Sequence, residues 1–363
     1  MQLGENGDAN PGTHHYQHKG QHMRKRLYHA VAALLVAGIV TFHFGCKKDN
    51  GPTSPTLPAK VQTYAVALNV LNPLGTPQGG ATVSLVNPPY PTGTYADQPF
   101  DATTDTLGNA TIQSPAGTQT VLAKIGTLFQ ASTTVKVIAS NTPTAVPPLR
   151  LAQNTTMKVL VVQADCEQLE TVLASIGFTA FDKTYIGTLR DHANNDSVSV
   201  LNYLKTYNYV FSDCDCSTEQ GPEYGALSRV YGRYVAGGGK MYGGHYNYYH
   251  LQRIWTSYYQ KYYTGTFTSS GMDSIQVINA ALASAAGFRI AQWSSGLSNY
   301  ELFNDIPTTS TVYAVMWNSS PKAAVIVLNV VGSGKYVWTN YHNQDVMGDQ
   351  KLLKLIQYFL WSM

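Results

Sequence analysis

From Gly237 the sequence Gly-Gly-Gly-Lys-Met-Tyr-Gly-Gly-His lays out a strand, a tight turn and, at position 245, a histidine. Tyr224, Leu227, Val230, Tyr231, Tyr234 and Val235 precede it at helical spacing. The glycine run ends that helix, because glycine tolerates a left-handed C-cap. Lys240-Met241-Tyr242 reads as a short strand, and Gly243-Gly244 permit a sharp turn before a second helix-like run from Tyr246. A strand–turn–helix junction of this kind exposes one side chain at the top of an α/β sheet, where an enzyme places a nucleophilic Ser or Cys. No Ser or Cys lies between Gly237 and Leu251, and His245 stands nearest the turn. The layout is that of an enzyme's elbow without its nucleophile.

Other chemistry-bearing residues follow apolar runs. Asp165-Cys166-Glu167 comes after Lys158–Val162, and Asp213-Cys214-Asp215-Cys216 after Tyr209–Phe211. His342 comes after Lys335–Trp338. In a doubly wound sheet, ligands sit beyond the C-terminal ends of the strands. Asp165, Asp213, His245, Tyr246, Tyr249 and His342 are therefore the ligand-binding candidates, with His245 and His342 as the candidate catalytic pair. The thiols admit four uses. Cys214 or Cys216 can serve as a nucleophile with a histidine base. Zinc is a second use, although Cys-x-Cys lacks the usual two-residue gap. A disulfide from Cys166 to Cys214 or Cys216 is a third, suited to an oxidising compartment. The fourth is buried thiols beside Asp165 and Asp213 acting as helix caps. No metal site and no cofactor are expected. Tyr242, Tyr246, Tyr248, Tyr249, Tyr258, Tyr259, Tyr262 and Tyr263 crowd one region with His250 and Trp255. Such a cluster either stacks on a glycan or packs a helix on the sheet.

The elements that must position these groups begin after an export segment. Arg24-Lys25-Arg26 is a basic n-region, and Leu27–Val40 is an apolar run too short to span a bilayer comfortably. Phe44-Gly45-Cys46 follows it. A small residue before a cysteine at this place resembles the bacterial lipoprotein signal, which implies lipidation of Cys46. Residues 1–22 are read as a mis-called start, 23–45 as the signal peptide and 46–60 as a Pro-rich tether. Charged residues are only 12% of the chain, which suits an exported protein. Residues 1–45 hold four basic and two acidic residues, leaving about +1 of the net +3 on the remainder. That balance excludes a nucleic-acid partner.

Residues 61–140 carry short alternating stretches at about ten-residue spacing with Gly/Pro punctuation, the pattern of a β-sandwich. Gly-Ala-Thr-Val-Ser-Leu (80–85), Thr-Thr-Asp-x-x-Gly-Asn-Ala (103–110) and Pro-Ala-Gly-Thr-x-Thr-Val (115–121) resemble carboxypeptidase regulatory-like, Ig-like modules. The resemblance implies a spacer. Residues 141–156, with Pro143, Pro147 and Pro148, read as a linker.

Residues 157–363 alternate strand and helix patterns, including a helix over Ile275–Ala286, so a mainly parallel sheet with helices on both faces is expected. The strand ends at Asp165 and Cys214, the glycine elbow and the late strand with His342 resemble the class I glutamine amidotransferase-like fold, a flavodoxin-like three-layer α/β sandwich. The Gly-Gly-Gly-strand-Gly-x-His elbow is also similar to the trehalose-utilisation-type branch. In the class I glutamine amidotransferase-like fold the late histidine is followed by Pro and Glu, where Asn343 and Gln344 stand here. The expectation is a multidomain, lipid-anchored envelope protein of the outer membrane. Its α/β domain binds a glycan or peptide and has lost turnover. The alternative is a hydrolase of carbohydrate or peptide using His245 and His342.

Overall fold

A computed structural model describes residues 57–215, 221–256, 262–266, 273–293, 299–303, 306–317, 324–340 and 350–363. The signal peptide, Cys46, Cys216, Tyr258, Tyr259 and His342 lie outside them. Residues 59–363 form one compact unit.

The N-terminal half is all β. Strands β1 (Tyr64–Leu71), β2 (Thr82–Leu85), β3 (Asp101–Thr103), β4 (Asn109–Ser114), β5 (Gly117–Ile125) and β6 (Phe129–Val137) come first. Three two-residue strands follow, β7 (Thr144–Ala145), β8 (Leu149–Arg150) and β9 (Ala152–Gln153). One sheet has the order β4-β1-β7, with β8 also on β1, and the other runs β3-β2-β5-β6-β9. Alternation decides which side chains are buried: Val66, Leu68 and Val70 of β1 share a buried cluster with Val121, Ala123 and Ile125 of β5. Residues 141–156 thus supply strands to both sheets.

The C-terminal half is built on one large sheet. Its first part comprises β10 (Val159–Gln163), α1 (Leu169–Ser175), β11 (Asp182–Tyr185), α2 (Ile186–Asn195), α3 (Ser197–Leu204) and β12 (Tyr209–Ser212). Then come α4 (Gly225–Ala236), β13 (Lys240–Gly243), a 3-10 turn at His245–Asn247 and α5 (Tyr248–Ile254). After β14 (Tyr262–Thr266), β15 (Asp273–Val277) and α6 (Ala280–Ala286) the chain adds β16 (Ile290–Trp293) and β17 (Asn299–Phe303). It closes with β18 (Thr311–Met316), β19 (Ala324–Val331), β20 (Gly334–Thr339) and α7 (Gln350–Ser362).

The order β11-β10-β12-β13-β20 is parallel throughout. Counted within this half, its first four strands follow the flavodoxin-like order 2-1-3-4, and β20 takes the fifth place. Val159–Val162 are all buried, as a strand covered on both faces requires. Val159, Val161, Tyr209, Phe211 and Val337 pack towards α1 and α7. Leu160, Val162, Val210, Met241 and Trp338 pack towards α2, α3, α4 and α5.

Two expectations are corrected. The sheet is mixed, not mainly parallel: β14 to β19 pair antiparallel, and β19 pairs antiparallel with β20. Only Gly332 and Ser333 separate β19 from β20, too short a link for the crossover that parallel pairing needs. The helix expected over Ile275–Ala286 begins only at Ala280, because Asn279 accepts a hydrogen bond from Leu282 N at 2.9 Å and caps it. Ile275 and Val277 instead alternate along β15.

The β half docks on the N-terminal edge of the large sheet. Phe129 meets Phe178 edge-on at 5.7 Å. Thr127 Oγ1 bonds the Tyr209 hydroxyl. Gln153 Oε1 accepts from Ala180 N at 2.7 Å. Gly177, at φ +84°, sits where a Cβ would overlap Pro73. The sheet's C-terminal tips are left clear at the opposite end. β1 ends at this junction, so Tyr64 lies about 24 Å away from it at the usual strand rise.

Candidate functional site

Parallel register gathers the predicted residues. Val162, Ser212, Gly243 and Trp338 stand in one row across four strands. The described residues just beyond that row, Asp165 to Glu167, Asp213 to Asp215 and Gly244 to Asn247, lie at the sheet tips.

The elbow forms where the glycines foretold it. Asn247 fixes it, with Nδ2 donating to the carbonyls of Ser212 (3.3 Å) and Asp213 (3.0 Å) and Oδ1 accepting from the Tyr336 hydroxyl at 3.3 Å. Trp338 Nε1 donates to the His245 carbonyl at 3.0 Å. The elbow is thereby tied to β12 and β20. His245 is fully buried, its ring 4.3 Å from Tyr246 and 6.5 Å from Tyr248. Tyr246 and Tyr249 are half-buried, their rings stacked 6.2 Å apart.

Beneath the elbow lies a buried acid pair. Glu167 is 1% exposed and Asp213 0%. Glu167 Oε2 accepts from Cys214 N at 3.0 Å. Asp213 Oδ1 accepts from Leu169 N at 3.0 Å and Oδ2 from Ala164 N at 3.4 Å, so it caps α1 from the neighbouring strand. Burial first, and then the charge of Glu167, pushes the Asp213 carboxyl up to about 9. The pair therefore holds a proton at neutrality.

Cys214 is a buried thiol, and Tyr246 N donates to its Sγ at 3.4 Å. Of the two expected bridges, Cys166 to Cys214 or Cys216, the first is not formed, because Cys214 is free. Cys166 itself is disulfide-bonded. Among the described residues no group of three or more His, Cys, Asp or Glu is arranged to hold a metal ion.

Near the tips of β10, β11 and β12, charged and phenolic side chains form a cluster. Asp165 is exposed and accepts the Tyr185 hydroxyl at 2.9 Å. Asp215, 4% exposed, accepts the Tyr224 hydroxyl. Arg190 lies 5.3 Å from the Tyr224 ring centre and donates through Nη1 to its hydroxyl at 3.4 Å. Its Nε bonds Asp191 at 2.8 Å. The hydrogen bond to Asp165, more than burial, raises the Tyr185 phenol, so it remains a donor. Sequence reasoning had named only Asp165 here. Arg190 and Tyr185 were missed because β11 and α2 were not anticipated, and Asn247 because a lone amide after a histidine carries no signal of its own.

His250, fully buried behind the elbow, lies with Nδ1 2.7 Å from Ser228 Oγ. Ser228 gives its own proton to the Tyr224 carbonyl at 2.9 Å, so Nδ1 is the protonated nitrogen. Burial pushes this imidazole down to about 3.

No protein-family model and no curated protein matches the chain. Among solved structures it is similar to a GMP synthase protein from Thermoplasma acidophilum, at 12% identity and a TM-score of 0.40, over 56% of this chain and 92% of that one. It is similar to a ThuA-like protein from Bacteroides uniformis, at 11% identity and 0.38, over 57% and 91%. A glutamine amidotransferase from Thermotoga maritima gives 10% identity and 0.38, over 56% and 96%.

Proposed function

We propose that the chain is a lipid-anchored envelope protein whose amidotransferase-like sheet binds a ligand at its tips and does not turn it over. One observation carries this reading. In acyl-transfer sites of this layout, the backbone N–H after the nucleophile is kept for the oxyanion. Here that N–H belongs to Tyr246 and is given to Cys214 Sγ, while a buried histidine holds the nucleophile's place. Both halves of the acyl-transfer device are thus committed to internal contacts.

The ligand we favour is a peptide bearing both charges. The cluster at the strand tips offers Asp165 Oδ2 and Arg190 Nη2, neither of which is bonded among the described residues. Asp165 and Asp215 stand with tyrosine hydroxyls near the Arg190 guanidinium, which Asp191 holds through Nε. Paired charges suit an ammonium and a carboxylate better than a neutral polyol. Anchoring through Cys46, and an Ig-like spacer role for residues 61–140, belong to the same proposal.

The test is glutamate release from glutamine by the full chain, alongside calorimetric titration with short zwitterionic peptides. We expect no release, and peptide binding weakened by Arg190→Gln. Release that disappears in His245→Ala would replace this reading with the hydrolase. For the anchor, Cys46→Ser should abolish incorporation of labelled fatty acid, and persistent labelling would refute lipidation there.

A further inference from the structure

A second groove lies on the flank of the sheet, along the edge strand β11 and away from the elbow. Its volume is 540 Å³, within the range of small-ligand sites. Helix α2 presents Thr188, His192 and Asn195 along one stripe, and α3 presents Ser199 and Tyr203 one turn apart. Leu189 and Val200, both buried, form the apolar floor.

The lining is nearly uncharged. Among the described residues it contains no Lys or Arg, and one carboxylate, Asp196, whose Oδ1 accepts the backbone N–H groups of Val198 (3.1 Å) and Ser199 (3.0 Å) at the start of α3. What remains is hydroxyl, amide and imidazole groups around one aromatic plate. Tyr203 is 38% exposed, and its ring is braced edge-on by Tyr207 at 5.3 Å. Tyr207 is itself held through its hydroxyl by Asp182 Oδ2 at 3.0 Å. The plate is therefore rigid before any ligand arrives, which lowers the entropic cost of stacking on it.

We infer that this groove binds a neutral oligosaccharide, with one sugar ring stacked on Tyr203 and its hydroxyls bonded to the α2 and α3 stripes. A sugar presents an apolar ring face and hydroxyls that both donate and accept, which matches a tyrosine plate rimmed by neutral polar groups. An anionic ligand would find no cation in this lining. A peptide strand added to β11 would meet a four-residue edge on which Asp182 and Lys183 are exposed, the usual protection against strand pairing. This groove shares no residue with the charged cluster at the strand tips.

Saturation-transfer NMR and calorimetry on the full chain, with cellohexaose, maltohexaose, xylohexaose and chitohexaose as probes, test it. At least one should bind. Tyr203→Ala should weaken that binding about 10-fold or more, the loss of roughly one stacking contact. Tyr203→Phe, which keeps the ring, should restore most of it, and Ser199→Trp should block the groove while circular dichroism stays native. No binding by any of the four probes overturns the inference. So does binding that survives Tyr203→Ala. Sugar binding that survives Tyr203→Ala and disappears in Arg190→Gln would move the sugar to the sheet tips and overturn both the groove and the peptide assignment. Absence of peptide binding alone bears only on the charged cluster at the strand tips.

Discussion

The carboxylate of Glu167 occupies the space that a side chain at position 244 would need. A Cβ built on Gly244 falls closer to Glu167 Oε2 than any real Cβ contact. The same oxygen accepts the Cys214 N–H at 3.0 Å. The second glycine of the elbow is therefore required by a carboxylate from another strand as much as by the turn itself. Gly244→Ala must displace a buried, bonded side chain. It should cost about 1–3 kcal/mol, the usual penalty of overpacking, read as a lowered urea midpoint. A variant as stable as the parent would show that Glu167 does not occupy this position.

The acid pair and His250 make opposite demands on pH. Folding keeps a proton on the Asp213–Glu167 pair up to about 9, whereas in the unfolded chain Asp213 loses it near 3.8. Stability from this pair therefore falls as pH rises. His250 is neutral down to about 3 when folded and charges near 6.5 when unfolded, so its effect is the reverse, with stability lost as pH falls below 6.5. The two slopes offset each other between pH 3.8 and 6.5. Above 6.5 the acid pair acts without that offset, and stability should fall as pH rises towards 9. Urea unfolding from pH 5 to 9 measures this, and Asp213→Asn should flatten the upper limb. An unchanged slope in that variant would refute the shared proton.

The β half should not behave as a detachable spacer. Phe178 is fully buried between Phe129 of the β half and Phe211 of the large sheet. Phe178→Ala should cost about 3–5 kcal/mol, and calorimetry of the parent should give one unfolding transition for residues 59–363. Two well-separated transitions would mean that the docking contacts contribute little.

The cysteines should sort cleanly. Cys214, with no exposed surface, should resist alkylation in the native chain and react after denaturation. Cys166 should appear in a bridged peptide. Its expected partner is Cys216, because the Glu167–Cys214 bond brings the tips of β10 and β12 together immediately before it. Mapping of non-reduced peptides decides this, and a Cys166–Cys214 peptide would contradict the arrangement at the elbow.

Local patterns were legible in the sequence because they act over a few residues. The unbroken apolar run at Val159–Val162, the alternation in β1 and β5, and the glycine-bounded elbow at Lys240–His245 could each be read directly. β11 and α2 could not. Asp182 and Lys183 on an exposed edge show no alternation, and α2 begins at Tyr185 with no side-chain cap. The relations that define the site could not be read at all. Glu167 reaches Gly244, Cys214 receives the Tyr246 N–H, and Asn247 spans β12 and β20 only because parallel strands place residues tens of positions apart in one row. Sequence periodicity sets which face of an element is buried. Which buried polar groups then meet is decided by the register between strands, and that exists only in the folded chain.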